Sequence, residues 1–189
     1  MEEKIIKAED FITTKWSGGE TSQLYIYPEN ADFSKKDFLF RISSATFTGC
    51  ESTFSDFSNY YRYILPLEGS LSVDHKNLYK RSLSILEPEF FDGGWKTYSE
   101  NSLDCRDYNF IFSKKARGDF KVIKTREKVS LKENGIYTFF SKENFSLRLN
   151  DKKREIPAFS LYLLKTEVEN TNIEIEDLKD SIIISEFFK

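Results

Sequence analysis

Phe38-Leu39-Phe40-Arg41-Ile42-Ser43 is the stretch that decides the fold. Phe38, Phe40 and Ile42 alternate with Leu39, Arg41 and Ser43. A period of two sends successive side chains to opposite faces of a strand, so one face is apolar and the other carries Arg41 and Ser43. The same beat recurs along the chain. Tyr61, Tyr63, Leu65 and Leu67 alternate with Arg62 and Ile64. Tyr108, Phe110 and Phe112 alternate with Asp107 and Asn109, and Phe145, Leu147 and Leu149 with Ser146 and Arg148. Each run reads as a strand. Aromatic residues make up 16%, with 18 Phe and 10 Tyr against one Met, a composition suited to half-buried pleated surfaces.

Turn signals separate the runs. Glu68-Gly69, between Tyr63–Leu67 and Leu71–Val73, predicts a hairpin. Asn150 to Lys153 predicts another, joining Phe145–Leu149 to Ile156–Leu164. Asp92-Gly93-Gly94 and Asn134-Gly135 are further turns. Glu167–Asp180 suits one turn of helix, although Val168, Ile173 and Ile175 fit a strand equally well. The last strand is expected over Ser181–Phe188. Many short strands with regular turns predict an all-β barrel or sandwich. A break near Lys114–Asp119 divides the chain into an N-terminal half, 1–115, and a β-rich half, 116–189, packed as one compact unit. No repeat of residues relates the halves.

Composition removes several classes of function. Lys plus Arg is 28 and Asp plus Glu is 31, with no basic stripe of the kind that follows a phosphate backbone. The densest basic cluster, Lys152-Lys153-Arg154, is flanked by Asp151 and Glu155 and reads as a solvated turn. No nucleic-acid partner is expected. No apolar run approaches the ~20 residues of a membrane helix, and the acidic start is unlike a secretory signal, so a cytoplasmic protein without a membrane partner is expected. Cys50 and Cys105 lie far apart in no metal-ligand spacing, and a reduced pair is expected.

Histidine arithmetic is sharper. The chain has one His, His75, placed by its neighbours at a strand end and read as a surface residue. One imidazole and two scattered thiols cannot assemble the ligand set of a typical transition-metal site, so neither a metal nor another cofactor is expected. A Ser-His-Asp system would also need His75, and there is no G-x-S-x-G elbow. The glycines in Thr13-Thr14-Lys15-Trp16-Ser17-Gly18-Gly19 precede a strand, not the helix a phosphate loop requires. No catalytic residue is assigned.

Three blocks carry a resemblance. The first is Lys15-Trp16-Ser17-Gly18-Gly19-Glu20-Thr21-Ser22-Gln23-Leu24, followed by Tyr27-Pro28. The second is Phe40-Arg41-Ile42-Ser43-Ser44-Ala45, then Phe54-Ser55-Asp56-Phe57 and Arg62. The third is Leu67-Glu68-Gly69, then Phe91-Asp92-Gly93-Gly94-Trp95, then Asp107-Tyr108-Asn109. In order and spacing they resemble the HutD/Ves family of cupin-like proteins across residues 15 to 109. This chain departs from the family pattern in having Ser17 where an Asn precedes a longer Gly run, and Ser52-Thr53 where Gly-Pro precedes Phe-Ser. Both changes bear on the ligand. The resemblance implies a bicupin, two packed cupin-like halves without the usual metal motif. It also implies a regulator or sensor in histidine utilisation, for ligands of the formylated or formimino glutamate type.

The residues themselves suggest an anion site. Arg41 and Ser43 share the polar face of an apolar strand, where a buried guanidinium needs a carboxylate from the protein or from a ligand. Asp107 and Glu68 are the internal candidates. The planar fork of Arg41 suits a bidentate carboxylate. Arg62 and Ser55 extend such a site, with Thr21, Gln23 and Asn109 as further polar contacts and Trp16 as a floor. Structural alternatives stand beside each of these: Arg62 binding the Phe54–Asp56 turn, Trp16 in the core, Asn109 closing a turn, and Trp95 packed under a loop. The expected function is a metal-free binding protein for a small carboxylate, acting as a sensor in amino-acid catabolism; a homodimer is compatible with this. A metal-free isomerase or epimerase is the competing expectation, favoured by His75 at a pocket or by a buried Tyr61 beside Asp107. A regulatory partner acting through an exposed aromatic patch is the third.

Overall fold

The computed structural model describes residues 1–124, 127–167 and 170–189. Among these the regular structure is strand, apart from two single 3-10 turns at Ala8–Asp10 and Phe33–Lys35. The chain divides into two units, one of Phe11–Lys115 and one of Met1–Asp10 with Ala116–Lys189.

In the Phe11–Lys115 unit, a six-stranded sheet runs in the order Ile12–Trp16, Gly19–Tyr27, Phe40–Phe47, Arg106–Ser113, Tyr60–Glu68, Glu89–Asp92. A four-stranded sheet runs Glu51–Thr53, Thr97–Asn101, Leu71–His75, Tyr79–Leu83. Every pairing is antiparallel. The two sheets share an apolar core, in which Ala45, Ile64 and Phe91 of the larger meet Leu71 and Leu83 of the smaller. A second cluster of Ile26, Phe38, Phe57, Tyr60 and Ile111 closes one end. The opposite face of the large sheet carries packed rings, with Phe40 edge-on to Phe110 and Tyr63 stacked on Phe110.

The other unit repeats the plan. Its five-stranded sheet runs Glu2–Ile6, Ser160–Thr166, Gly135–Ser141, Ile182–Phe188, Arg117–Ile123, and its four-stranded sheet runs Lys128–Leu131, Thr171–Leu178, Phe145–Leu149, Lys152–Ile156. One core of Phe139, Leu147, Leu164, Ile173 and Ile184, with their neighbours, lies between them.

The all-β expectation holds, but among the described residues no sheet closes on itself, and sandwiches of open sheets stand in place of the barrel alternative. The start of the chain departs from a 1–115 half: Glu2–Ile6 pairs with Ser160–Thr166, and Arg154 and Tyr162 both bind Glu3. Glu68-Gly69 makes no hairpin. Tyr60–Glu68 and Leu71–His75 enter different sheets, and Gly69 turns the corner at φ +68, where an added Cβ would stand 2.8 Å from the Cys105 backbone. Only glycine takes that turn without strain. The Asn150-Asp151 turn is a hairpin with φ of 49 and 60, but its second strand is Lys152–Ile156, and Ser160–Thr166 crosses to the other sheet. Thr171–Leu178 is strand, and Val168 lies outside the described residues.

Candidate functional site

Register on the large sheet of the Phe11–Lys115 unit assembles a polar surface from separate runs of sequence. Ile111 pairs with Arg41 on one side and Arg62 on the other. The next row along the same face reads Gln23, Ser43, Asn109, Ile64. A register shift between Gln23 and Tyr25 sets Gln23 opposite Ser43, within reach of Arg41. A second irregularity, between Arg106 and Asp107, sets Asp107 opposite Pro66. Proline has no N–H for the ladder, so an interior position fits best at such a bulge. This face lines a cavity of ≈ 340 Å³, within the usual size of small-molecule sites. Phe33, Phe54 and Phe57, with Ser52, Thr53 and Ser55, form its opposite wall, and Trp16 and Lys15 stand at its rim.

The two guanidiniums differ in how they are held. Arg41 donates from Nε to Gln23 Oε1 at 2.9 Å and from an Nη to Ser43 Oγ at 3.0 Å, with the Phe33 ring 4.1 Å away on its face. Its remaining N–H groups make no hydrogen bond among the described residues. Arg62 is covered by the rings of Phe54 at 4.6 Å, Phe91 at 5.2 Å and Phe57 at 5.7 Å. Among the described residues it meets no protein acceptor, and its buried Nε is left unpaired. Both side chains are 5% exposed. Neither has a carboxylate at ion-pair distance among the described residues, so the salt bridge expected from Arg41 to Asp107 or Glu68 is absent. Asp107 acts on both through space.

Asp107 is buried. Its Oδ1 accepts the Ala45 N–H at 2.7 Å, while its main-chain oxygen accepts the Ser44 hydroxyl at 2.6 Å. Burial pushes its carboxyl up to about 7, against the Ala45 hydrogen bond and the charges of Arg62, Arg41 and Arg106. Burial lowers Arg41 and Arg62 to about 10 each, partly opposed by Asp107. Both stay cationic at neutral pH. Two cations against one acid leave the cavity net positive. Asn109 completes the polar set, with its Oδ1 buried and unpaired.

Of the eight residues expected at the site, Arg41, Ser43, Arg62, Ser55, Thr21, Trp16 and Asn109 line this cavity. Gln23 stands behind, orienting Arg41. Trp16 is neither floor nor core. It is 39% exposed, donates from Nε1 to Thr21 Oγ1 at 3.1 Å and meets Phe47 edge to face. Phe33, Phe54 and Phe57 were missed, because they come from loops and turns that have no period to read.

His75 overturns the surface expectation. It is 0% exposed, since it shares the inward face of its strand with Leu71 and Val73. Its Nδ1 lies 2.8 Å from Thr97 Oγ1, and the rings of Tyr79, Phe91 and Trp95 enclose it. Burial lowers its basicity, opposed by Glu89. It does not line the cavity. Tyr61 is not beside Asp107 either: it pairs with Phe112 and its ring packs on Phe90 and Phe112. Trp95 packs on His75 and Tyr79. Cys50 and Cys105 are both free thiols. Among the described residues no group of three His, Cys, Asp or Glu side chains is placed to hold a metal ion, and no helix is long and apolar enough to cross a membrane. In the Lys152–Arg154 cluster, Lys153 pairs with Asp177 and Arg154 with Glu3.

Solved structures resemble the whole chain. A conserved protein of unknown function from Pseudomonas aeruginosa PAO1 superposes with a TM-score of 0.85 at 19% identity, over 100% of both chains. HutD from Pseudomonas fluorescens SBW25, solved in a formate condition, gives 0.79 at 18% identity, covering 99% of this chain and 98% of that one. The pirin YhhW of Escherichia coli, in complex with nickel(II), gives 0.66 at 9% identity over 99% of each. No curated protein matches the sequence. The neighbours define the class as an all-β protein with a cupin-like fold. The sequence matches the HutD family over residues 8–180, and the chain belongs to that family.

Proposed function

We propose that this protein binds a small carboxylate, without a metal, in the cavity of its Phe11–Lys115 unit. The observation that carries this reading is Arg62, a buried guanidinium with no protein acceptor among the described residues. Burying donors without partners costs free energy, and a carboxylate supplies the missing acceptors. The rings cover the guanidinium face and leave its edge for in-plane, bidentate contact. The single His75, enclosed away from the cavity, supports the metal-free part.

We read the two sandwiches as two cupin-like halves, on the repeated plan of paired antiparallel sheets. The family's link to histidine utilisation suggests a cytoplasmic sensor of a catabolic intermediate. Of the groups expected for the isomerase alternative, His75 and Tyr61 lie away from the cavity and Asp107 lines it without either of them.

A thermal-shift screen of small carboxylates tests the reading on wild type, Arg41→Ala and Arg62→Met. A ligand at a hundredfold excess over its Kd stabilises the fold by about 2.7 kcal/mol. The expected result is a shift in wild type that disappears in both folded variants. No shift with formate, glutamate, formylglutamate, urocanate or sugar acids would sink it.

A further inference from the structure

We propose that Asp107 is a ligand-contact residue of this cavity: it takes a proton from solvent as a carboxylate docks at Arg41 and Arg62, and donates it in a hydrogen bond to a ligand oxygen. This rests on the carboxylate reading above and adds a proton to it.

The geometry comes first. Asp107 lines the same cavity as both guanidiniums, and it shares the strand face of Asn109 and Ile111, the latter paired with Arg41 and Arg62. The Ala45 N–H holds one of its oxygens. Among the described residues the other makes no protein hydrogen bond, and it is not sealed from the cavity. A carboxylate reaching either arginine therefore arrives beside a second carboxyl group.

Two carboxylates in one desolvated space do not both ionise readily; they share a proton. The protonated acid becomes a donor, which suits an incoming acceptor. The proton balance is simple: one leaves solvent, stays on Asp107, and offsets the charge the ligand brings.

The surrounding groups agree. The charges facing Asp107 are Arg41 from Phe40–Phe47, Arg62 from Tyr60–Glu68, and Arg106 from its own strand. The neighbouring Cys105 thiol is kept neutral by burial, pushed up to about 12. Lys15 at the rim is paired with Glu20, and Glu89, on the edge strand of the same sheet, binds Arg81 and Tyr79. Ser52, Thr53 and Ser55 on the opposite wall are uncharged. Burial raises the free-site carboxyl to about 7, opposed by the three arginines.

The sign follows from linkage. A ligand anion raises the affinity of Asp107 for its proton further. Above about pH 7 binding then takes up a proton, and affinity falls by up to about tenfold per pH unit. Below about pH 7 the acid is already protonated and affinity is flat.

Calorimetric titration of the full chain with formate and with propionate, from about pH 6 to 9, in buffers of differing ionisation heat, reads both quantities. The expected result is proton uptake approaching one per ligand above pH 7, with Kd weakening over the same range. Asp107→Asn, with folding checked by its Tm, should bind with a flat profile and no uptake. Wild-type binding with neither slope nor uptake overturns the inference and leaves the carboxylate reading intact. An Asp107→Asn protein that keeps the slope also overturns it. No binding of either probe at any pH overturns the inference, and the carboxylate reading falls with it if the wider thermal-shift screen is also blank.

Discussion

Replacing Arg62 by methionine keeps most of the side chain's length and removes its charge. In most proteins, deleting a buried cation strands a partner, but here no protein acceptor is left behind. Relief of desolvation should outweigh the lost ring contacts, and Arg62→Met is expected to raise the stability of the ligand-free protein by about 1–2 kcal/mol. Chemical denaturation measures this, and a loss of stability would mean that the three rings hold the cation more tightly than its burial costs. The Arg41 and Ser43 pair was legible in the sequence because a polar beat interrupts an aromatic strand. The burial of His75 was written in the same beat, Leu71, Val73 and His75 against Ser72 and Asp74, but its place at the strand end read as surface. The aromatic cover on Arg62 was not legible, since it comes from two separate segments, Phe54 and Phe57 in one turn and Phe91 in an edge strand.

At the scale of elements, strands were easier to read than their partners. Period two marks a strand and its faces, but pairing depends on where the chain turns, and glycine marks a turn without saying which kind. Glu68-Gly69 looked like a hairpin and is a corner between sheets. The corner leans on one backbone: Ser70 N–H donates to Ser102 Oγ, and Ser102 N–H to the Ser70 carbonyl. Gly69→Ala would add strain at positive φ and a clash with Ser102 and Cys105. A loss of about 2–4 kcal/mol is expected, read as a lower denaturation midpoint. A change below about 0.5 kcal/mol would show that the corner can relax.

Across the whole molecule, the division into units does not follow chain order. Glu2–Ile6 belongs to the unit formed by residues 116–189, clipped there by Glu3, which Arg154 grips through Nε at 2.8 Å and an Nη at 2.9 Å and the Tyr162 hydroxyl at 2.9 Å. Glu3→Ala should loosen that edge and leave the cavity of the Phe11–Lys115 unit unaffected. Hydrogen exchange would then quicken along Glu2–Ile6 and its partner Ser160–Thr166, while the carboxylate-induced thermal shift persists. Exchange that stays slow would mean that backbone pairing alone holds the strand.

That clip also bears on how the protein is made. Glu3 and Tyr162 are 159 residues apart, and synthesis at about 5–20 residues per second puts on the order of ten seconds between their appearances. During that interval Glu2–Ile6 is an unpaired strand, while the whole of Phe11–Lys115 has already emerged. A nascent chain stalled before Ser160 would therefore carry the complete Phe11–Lys115 segment together with a bare β-edge, the kind of surface that chaperones and neighbouring chains capture.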